Sequence, residues 1–364
     1  MGLAARQGMI ALSRRLLFPP LACGLFSRGK GLAMRAVFLA IVLCLVGGAV
    51  WAQTPPETDC DRLAGLWLMP RAAGLAQAYQ IRHPQAAVVA CEAAITAYPA
   101  EPHFLVLLAR ALIAARSDDT RALHLLSEAS GDLPALSAGQ TGLLYEFGLA
   151  GLAVSDSFAR DYFRTGCAYW PDSQTQQACT ALAVMKIEGR GGDVDEIGGF
   201  SSLQQLCDGG WPMACTNIAL QQELRGSDSE AEIVALLSQA CEGGDLLACS
   251  LLGFRYEIEL GVSLDMARAR ALYTLACDGG EAHGCANLGE VYRSGNGLAQ
   301  DMIEAVRLFT LACDGDDAFA CATLGGILAD GRGVPTDIPR AIVVLDRACW
   351  QGDPEACDRA DGLR

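Results

Sequence analysis

The 364-residue chain is poor in basic residues, and lysine is almost absent, with only Lys30 and Lys186 present. Its 27 lysines and arginines are outnumbered by 42 aspartates and glutamates. The first 52 residues hold six of the basic residues and no acidic one, so a chain without them would carry a net charge of −21. Such a surface repels nucleic acid and anionic lipid, and favours basic partners or simple solubility. We therefore expect no nucleic-acid partner.

Signatures of catalysis are also missing. A serine β-lactamase or penicillin-binding enzyme needs a Ser-x-x-Lys motif, and the only match, Ser27 to Lys30, lies in the leader. A zinc enzyme needs clustered histidines, but the four histidines are scattered singles, and His283 is expected to be a surface turn residue. We predict no enzyme, no cofactor, and no catalytic, cofactor-binding or metal-binding residue.

Residues 1–52 are interpreted as a leader segment. The apolar run 36–46 is followed by Val50-Trp51-Ala52, which supplies small residues before a cleavage site and leaves Gln53 as the first mature residue. We expect cleavage between Ala52 and Gln53, a periplasmic or secreted protein, and no stable membrane insertion. The alternative is a retained membrane anchor, since the run is barely long enough to span a bilayer.

The true start of translation is a second open point, because residues 1–33 do not fit a signal peptide well. Translation from Met34 is one explanation, and a twin-arginine signal at residues 13–18 is a weaker one. Residues 53–59, with Pro55-Pro56, are predicted to be a linker.

Cysteine is present in a regular pattern. From Cys207 onward, intervals of eight residues alternate with intervals of 26 or 28. On one continuous helix, residues eight apart lie about 12 Å apart along the axis, which is too far for a disulfide. The short intervals hold glycines and polar residues that end a helix and turn the chain, so the last turn of one helix can face the first turn of the next.

This geometry predicts local disulfides across the short intervals. Cys60 and Cys91 are paired because they are the cysteines left outside the later series after cleavage, and the resulting seven disulfides use all fourteen remaining cysteines. Buried free thiols and metal sites are the alternatives, although metal sites usually need close pairs of ligands. Paired cysteines on this scale indicate an oxidising compartment. The predicted pairs are Cys60–Cys91, Cys167–Cys179, Cys207–Cys215, Cys241–Cys249, Cys277–Cys285, Cys313–Cys321 and Cys349–Cys357.

The same pattern defines a repeat of 36 residues. Counted from Cys249, Cys285 and Cys321, glycine follows at four and twelve residues, aspartate at sixteen and alanine at twenty. We expect the first glycine to let two helices pack closely, and the aspartate to cap the second helix. Ser229, in a capping-box spacing, takes the aspartate's place in the shorter Cys215 copy. The aspartates concerned are Asp195, Asp265, Asp301 and Asp337.

Two helices per repeat indicate an α-solenoid. The predicted fold is all-α: a right-handed α-solenoid of antiparallel helix pairs with inter-helix disulfides. Residues 60–135 show helical periodicity with proline- and glycine-marked turns, which suggests a tetratricopeptide-like helical region. Residues 136–364 are assigned to the repeat solenoid.

The motif at Ala248-Cys249 to Gly253 and Tyr256, with the later Gly-x-Gly and aspartate, resembles the Sel-one-like repeat. The paired cysteines resemble those of its secreted, cysteine-rich bacterial branch, over roughly residues 137–364. The resemblance implies an interaction scaffold, and some cysteine-rich relatives carry a penicillin-binding or β-lactamase label. The lack of a serine-lysine or zinc motif argues against that activity here.

We expect a protein or peptide ligand on a concave face built from the first helix of each pair. Arg255, Glu257, Glu290 and Arg293 are the candidate partner-binding residues, expected to point outward. Because only seven residues follow Cys357, too few for a full capping helix, we also expect weak self-association at that edge. A purely structural component of the cell envelope, with no discrete partner, is the alternative function.

Overall fold

The computed structural model describes residues 58–64, 81, 83–168, 175–226 and 229–364. The leader, its cleavage site and most of the predicted linker lie outside these residues. Within them, the chain forms 17 α-helices and no strand. These helices confirm the all-helical solenoid predicted from the repeats. No described helix is both long enough and apolar enough to cross a membrane.

The first helices precede the regular repeats, and the later ones alternate within them. Their bounds are α1 Asp59–Ala64, α2 Pro84–Ala97, α3 His103–Ala115, α4 Asp119–Ala129, α5 Pro134–Phe147, α6 Asp156–Cys167, α7 Gln176–Glu188, α8 Glu196–Asp208, α9 Pro212–Leu224, α10 Glu230–Glu242, α11 Leu246–Glu257, α12 Met266–Asp278, α13 Ala282–Ser294, α14 Met302–Asp314, α15 Ala318–Asp330, α16 Ile338–Trp350 and α17 Pro354–Leu363. From α5 to α16, each odd-numbered helix is the first of a pair and the next even-numbered helix is the second; α17 stands in the position of a further first helix.

Glycine on the first helix allows the two helices of a pair to approach closely. A Cβ atom at Gly253 of α11 would lie 2.8 Å from Cε1 of Tyr273 on α12. A Cβ at Gly289 of α13 would likewise lie 3.2 Å from the Phe309 ring of α14. Because both distances are shorter than nearly all real Cβ contacts, a side chain at either position would require its neighbour to move. The role predicted for this repeat position is confirmed.

The aspartates sixteen residues after the cysteines cap the second helices. The side chains of Asp195, Asp265, Asp301 and Asp337 each accept a hydrogen bond from a backbone N–H of the first turn. Such caps satisfy donors that the helix itself cannot pair. Ser229 occupies the same position before α10, but its side chain makes no capping hydrogen bond, so the capping box predicted there is wrong.

Seven disulfides join the same cysteine pairs that the sequence predicts. Their Cα atoms lie 4.5 to 4.9 Å apart, within the usual range for this bond. From Cys167–Cys179 onward, each bond connects the end of a second helix to the start of the next first helix. Each of these disulfides therefore links one repeat to the next.

The apolar core runs through the stacked pairs as a succession of clusters. One cluster extends from Cys60 to Met185 and so includes side chains of both α1–α4 and α5–α7. Two further clusters bury the residues between Cys179 and Leu252 and between Ala269 and Ala360. Residues Pro56–Arg364 form one compact unit. The boundary between residues 60–135 and 136–364 stays a prediction.

The region after Cys349 differs from the sequence expectation, because the chain there forms the ten-residue helix α17. Asp353 caps this helix, Ala356 and Ala360 are buried, and Asp361 is exposed. Asp361 stands where α11, α13 and α15 have their packing glycine, and it forms an ion pair with Arg364. The segment therefore forms a helix, although α17 has ten residues where the other first helices have 12 to 14, and the surface that it presents is charged rather than apolar.

Candidate partner-binding face

One face of the first helices is largely apolar on two neighbouring helices and polar on the next. Residues four, seven and eleven apart lie on one side of a helix, so corresponding stripes can be compared between repeats. The stripe of α11 contains Leu247, Leu251 and Phe254 and continues to Ile258 just after the helix. The stripe of α9 contains Met213, Leu220 and Leu224, with the buried Asn217 between them. The corresponding stripe of α13 contains His283, Asn287 and Glu290. Phe254 is 46% exposed, and Leu224 and Ile258 are exposed too.

A pocket of about 250 Å³ opens where the apolar and polar stripes meet. Four of its lining residues are apolar and come from α9 and α11: Leu220, Leu247, Leu251 and Phe254. Ser250, His283 and Asn287 complete the lining, and the Asn287 amide donates a hydrogen bond to the Ser250 hydroxyl at 3.4 Å. The pocket can therefore hold an apolar group on one side and make hydrogen bonds on the other.

Two buried carboxylates fix the polar side of this pocket. Nδ1 of His283 lies 2.6 Å from Oδ2 of Asp317, whose Oδ1 accepts the Ala320 N–H and caps α15. Glu281 caps α13 by accepting the N–H groups of His283 and Gly284 at 2.9 and 2.6 Å. Both carboxylates are buried, whereas the His283 side chain is 40% exposed. The imidazole thus lies between the pocket and two acids, one of them from the next repeat.

This arrangement changes the protonation of the cluster. Burial lowers the pKa of His283, but the hydrogen bond to Asp317 and the charges of Glu281 and Asp317 outweigh it, so the pKa is raised. Burial also raises the pKa of Glu281, against the opposing effects of His283 and of its two N–H donors. The imidazolium form is therefore favoured at a higher pH than in a free histidine.

Sequence reasoning missed the acidic residues that cap the first helices. Asp245, Glu281, Asp317 and Asp353 recur every 36 residues, and each accepts a backbone N–H at the start of its helix. Asp245 also accepts a hydrogen bond from the Thr216 hydroxyl of the preceding first helix at 2.5 Å. The signal was present, since an acid stands four residues before the second cysteine of each of these pairs.

The structure corrects two of the predicted binding residues. Arg255 is only 2% exposed and forms ion pairs with Glu223 and Glu230, so the expectation that it points outward is wrong. Glu257 is half-buried and accepts the Tyr273 hydroxyl at 2.7 Å, which gives it a role in packing.

The other two predicted binding residues are more accessible. Glu290 and Arg293 are both partly exposed on α13. They pair with each other through bonds of 2.6 and 2.7 Å. By helical spacing Glu290 shares a side of α13 with His283 and Asn287, whereas Arg293 does not. None of the four candidate binding residues lines the pocket.

His283 also differs from the expectation of a surface turn residue, because it lies in the first turn of α13 and lines the pocket. Among the described residues, no group of three or more histidine, cysteine, aspartate or glutamate side chains is arranged to hold a metal ion.

Comparison with known proteins agrees with the repeat pattern. The Sel1 repeat family model matches residues 136–168, 246–281, 282–317 and 318–353. It passes over residues 169–245, which include most of the twelve-residue interval from Cys167 to Cys179 and the copy that is two residues short. Helix pairs of the same kind form there. No curated protein matches the chain.

Solved structures with similar helices include three bacterial proteins. A Sel1 repeat protein from Oxalobacter formigenes is 24% identical with a TM-score of 0.52, over 68% of this chain and 99% of its own. A protective antigen of uropathogenic Escherichia coli strains with an SLR fold is 15% identical with a TM-score of 0.44, over 80% of this chain and 65% of its own. An immunity protein from Pseudomonas aeruginosa is 14% identical with a TM-score of 0.46, over 60% of this chain and 81% of its own.

This chain thus spans slightly less than two thirds of the Escherichia coli antigen. The likeness to the Oxalobacter protein shows a shared fold of stacked helix pairs. The four family matches coincide with the helix pairs α5–α6, α11–α12, α13–α14 and α15–α16. The chain therefore carries Sel1 repeats at four positions and shares the fold of a Sel1 repeat protein.

Proposed function

We propose that this protein is an exported, disulfide-stapled scaffold that binds a protein or peptide on the face formed by its first helices. Sel1 repeats are scaffolds suited to protein–protein interaction, and the family is generally non-enzymatic. The observation that carries the proposal is the pocket with an apolar wall from α9 and α11, beside which Leu224, Phe254 and Ile258 are exposed. Exposed apolar side chains next to a concave apolar site support binding, whereas scattered single residues do not.

The disulfides support export from the reducing cytosol. Bonds of this number persist in oxidising environments such as the periplasm or the extracellular space. The leader interpretation leads to the same compartment, with Gln53 as the first mature residue. Intact mass of the protein purified from the cell envelope tests this step. A purified chain that still carries residues 36–52 would indicate a membrane anchor and would contradict cleavage of the leader before Gln53.

The binding face is tested by placing a charge in it. We expect Phe254→Asp to lower the affinity for the partner at least about 30-fold, because a central aromatic anchor contributes about 2 kcal/mol or more to binding. The partner is first captured by crosslinking in the native envelope, and its affinity is then measured by calorimetry. Ile303→Asp on the second helix α14 is the matched control, since Ile303 is 75% exposed and lies away from the pocket.

Both variants should keep the melting temperature of the parent protein, because both side chains are exposed. Equal affinity of the parent and Phe254→Asp would reject the first-helix face as the binding surface. Failure to capture any discrete partner would instead favour the purely structural role. Turnover of a β-lactam by the purified protein would show an activity that this proposal does not include.

A further inference from the structure

The pocket between α11 and α13 combines an apolar wall with one titratable side chain, His283. We infer that protonated His283 determines specificity in this pocket by donating a hydrogen bond from Nε2 to a carbonyl oxygen of a bound peptide whose apolar side chain fills the apolar part. The inference rests on the proposed function, because it assumes that the first-helix face binds a peptide.

The hydrogen bonds of Asp317 fix which nitrogen of His283 is available. Oδ2 of Asp317 accepts from Nδ1 of His283, and Oδ1 accepts the Ala320 N–H, so both carboxylate oxygens are engaged. A carboxylate held in this way selects the tautomer with the proton on Nδ1. Nε2 is then an acceptor in the neutral imidazole and a donor in the imidazolium. Protonation therefore reverses the hydrogen-bonding character of the pocket wall.

The charged groups around His283 favour the imidazolium. Glu281 faces it from the start of α13, and Asp317 from the start of α15. The pocket side, formed by α9 and α11, contributes Leu220, three further apolar side chains and Ser250, none of which is charged. The raised pKa of His283 agrees with this geometry.

The same charges select the chemistry of the ligand. The imidazolium already pairs with Asp317, so it has no unpaired positive charge left for a ligand carboxylate. A neutral carbonyl oxygen can accept a hydrogen bond from Nε2 without being repelled by the neighbouring acids, as a ligand carboxylate would be. The volume of about 250 Å³ is below the roughly 300–1,000 Å³ of pockets for drug-sized ligands, and suits one apolar side chain with its adjacent backbone. A peptide with an aromatic or branched aliphatic anchor is the expected occupant.

The test uses three small probes and nuclear magnetic resonance of the folded protein at pH 5.5 and 8.5. N-acetyl-phenylalaninamide offers neutral carbonyl groups, N-acetyl-phenylalanine a carboxylate, and phenylalaninamide an ammonium group. We expect the neutral probe to shift the resonances of Leu251, Phe254 and Asn287, and to bind about tenfold more tightly at pH 5.5 than at pH 8.5. At pH 5.5 both other probes should bind more weakly than the neutral probe. The carboxylate of N-acetyl-phenylalanine finds no unpaired positive charge, and the ammonium group of phenylalaninamide meets the imidazolium.

His283→Gln should bind the neutral probe equally at the two pH values. His124→Gln is the control, because His124 is exposed on α4, far along the chain from the pocket, and this variant should keep the tenfold change. Thermal melting at pH 8.5 checks that both variants fold.

Two outcomes would overturn the inference. Binding of the neutral probe that is independent of pH in the parent protein would remove the role of His283, yet leave the proposed function intact. Failure of all three probes to shift Leu251 and Phe254 would reject the pocket as an anchor site. The proposed function is tested separately, by the effect of Phe254→Asp on the captured partner.

Discussion

Burial separates two arginines that look alike in the sequence of the first helices. Arg255 is enclosed near the junction of α9 and α10, where it pairs with Glu223 and Glu230. Arg293 is partly exposed and pairs with Glu290, three residues before it. An arginine that is buried among its partners contributes packing as well as charge, whereas an exposed pair contributes little. Arg255 is therefore part of the framework that holds consecutive repeats together.

At the scale of the residue, we predict that Arg255→Ala lowers the free energy of unfolding by roughly 1–3 kcal/mol. The loss is below that of a fully buried pair, because the two glutamates are 51% and 39% exposed and remain solvated. Arg293→Ala should cost less than about 1 kcal/mol. Urea denaturation measures both variants, and an equal loss for the two would show that Arg255 has no special structural role.

At the scale of the helix pair, the packing glycine sets how closely two helices approach. We predict that Gly253→Ala destabilises the protein by roughly 1–3 kcal/mol, because the new methyl group would meet the Tyr273 ring and the Ala269 carbonyl oxygen. Gly362→Ala on α17 is the matched control, since nothing lies within 4 Å of its Cβ position. That substitution should be neutral or stabilise by up to about 1 kcal/mol. Thermal melting with circular dichroism compares the two, and a stabilising Gly253→Ala would refute the packing role.

Disulfides act at the same scale, by joining one helix to the next. We predict that removing Cys277–Cys285 with paired alanines costs roughly 2–3 kcal/mol. Removing Cys60–Cys91 should cost about 1 kcal/mol more, because its sequence separation is 31 rather than 8 and a longer loop is closed. Urea denaturation of both double variants gives the comparison. A larger loss for the short loop would mean that local strain or packing outweighs chain entropy.

At the scale of the whole molecule, we predict that stability falls as the pH rises from about 5 to 8. His283, Glu281 and Asp245 all have a raised pKa in the folded protein; burial is the largest effect for the two acids and opposes the rise for His283. A group that binds its proton more tightly when folded stabilises the protein below its unfolded pKa and loses that contribution as the pH passes its folded pKa. The pH range in which His283 loses its stabilising contribution therefore begins at its ordinary pKa of 6.5. The corresponding ranges begin at 4.5 for Glu281 and at 3.8 for Asp245.

Melting temperature measured across this range checks the prediction. The negative charge of the chain acts in the same direction, because repulsion between the acidic groups grows as they ionise. His283→Gln should flatten the part of the curve that His283 contributes above pH 6.5. A melting temperature that rises steadily from pH 5 to 8 would contradict the prediction.

The sequence alone determined the features that repeat along the chain. The 36-residue period, the cysteine pairs, the packing glycines and the aspartate caps of the second helices are set by interactions within a few turns of the chain. Local spacing is therefore enough to find them. The solenoid follows, because a helix pair can bury its apolar face only against the next copy. The caps of the first helices, which sequence reasoning missed, could also have been predicted, since they recur with the same period.

Only the tertiary structure decided what the non-repeating side chains do. Arg255 was expected to point outward, but its burial depends on where the end of α9 and the start of α10 place Glu223 and Glu230. His283 and Asp317 stand one repeat apart, and only the stacking of α13 and α15 brings them to 2.6 Å. Periodicity identifies the equivalent positions of neighbouring repeats, but not which side chains meet across the contact between them. The pocket and its charges therefore emerge from packing between repeats.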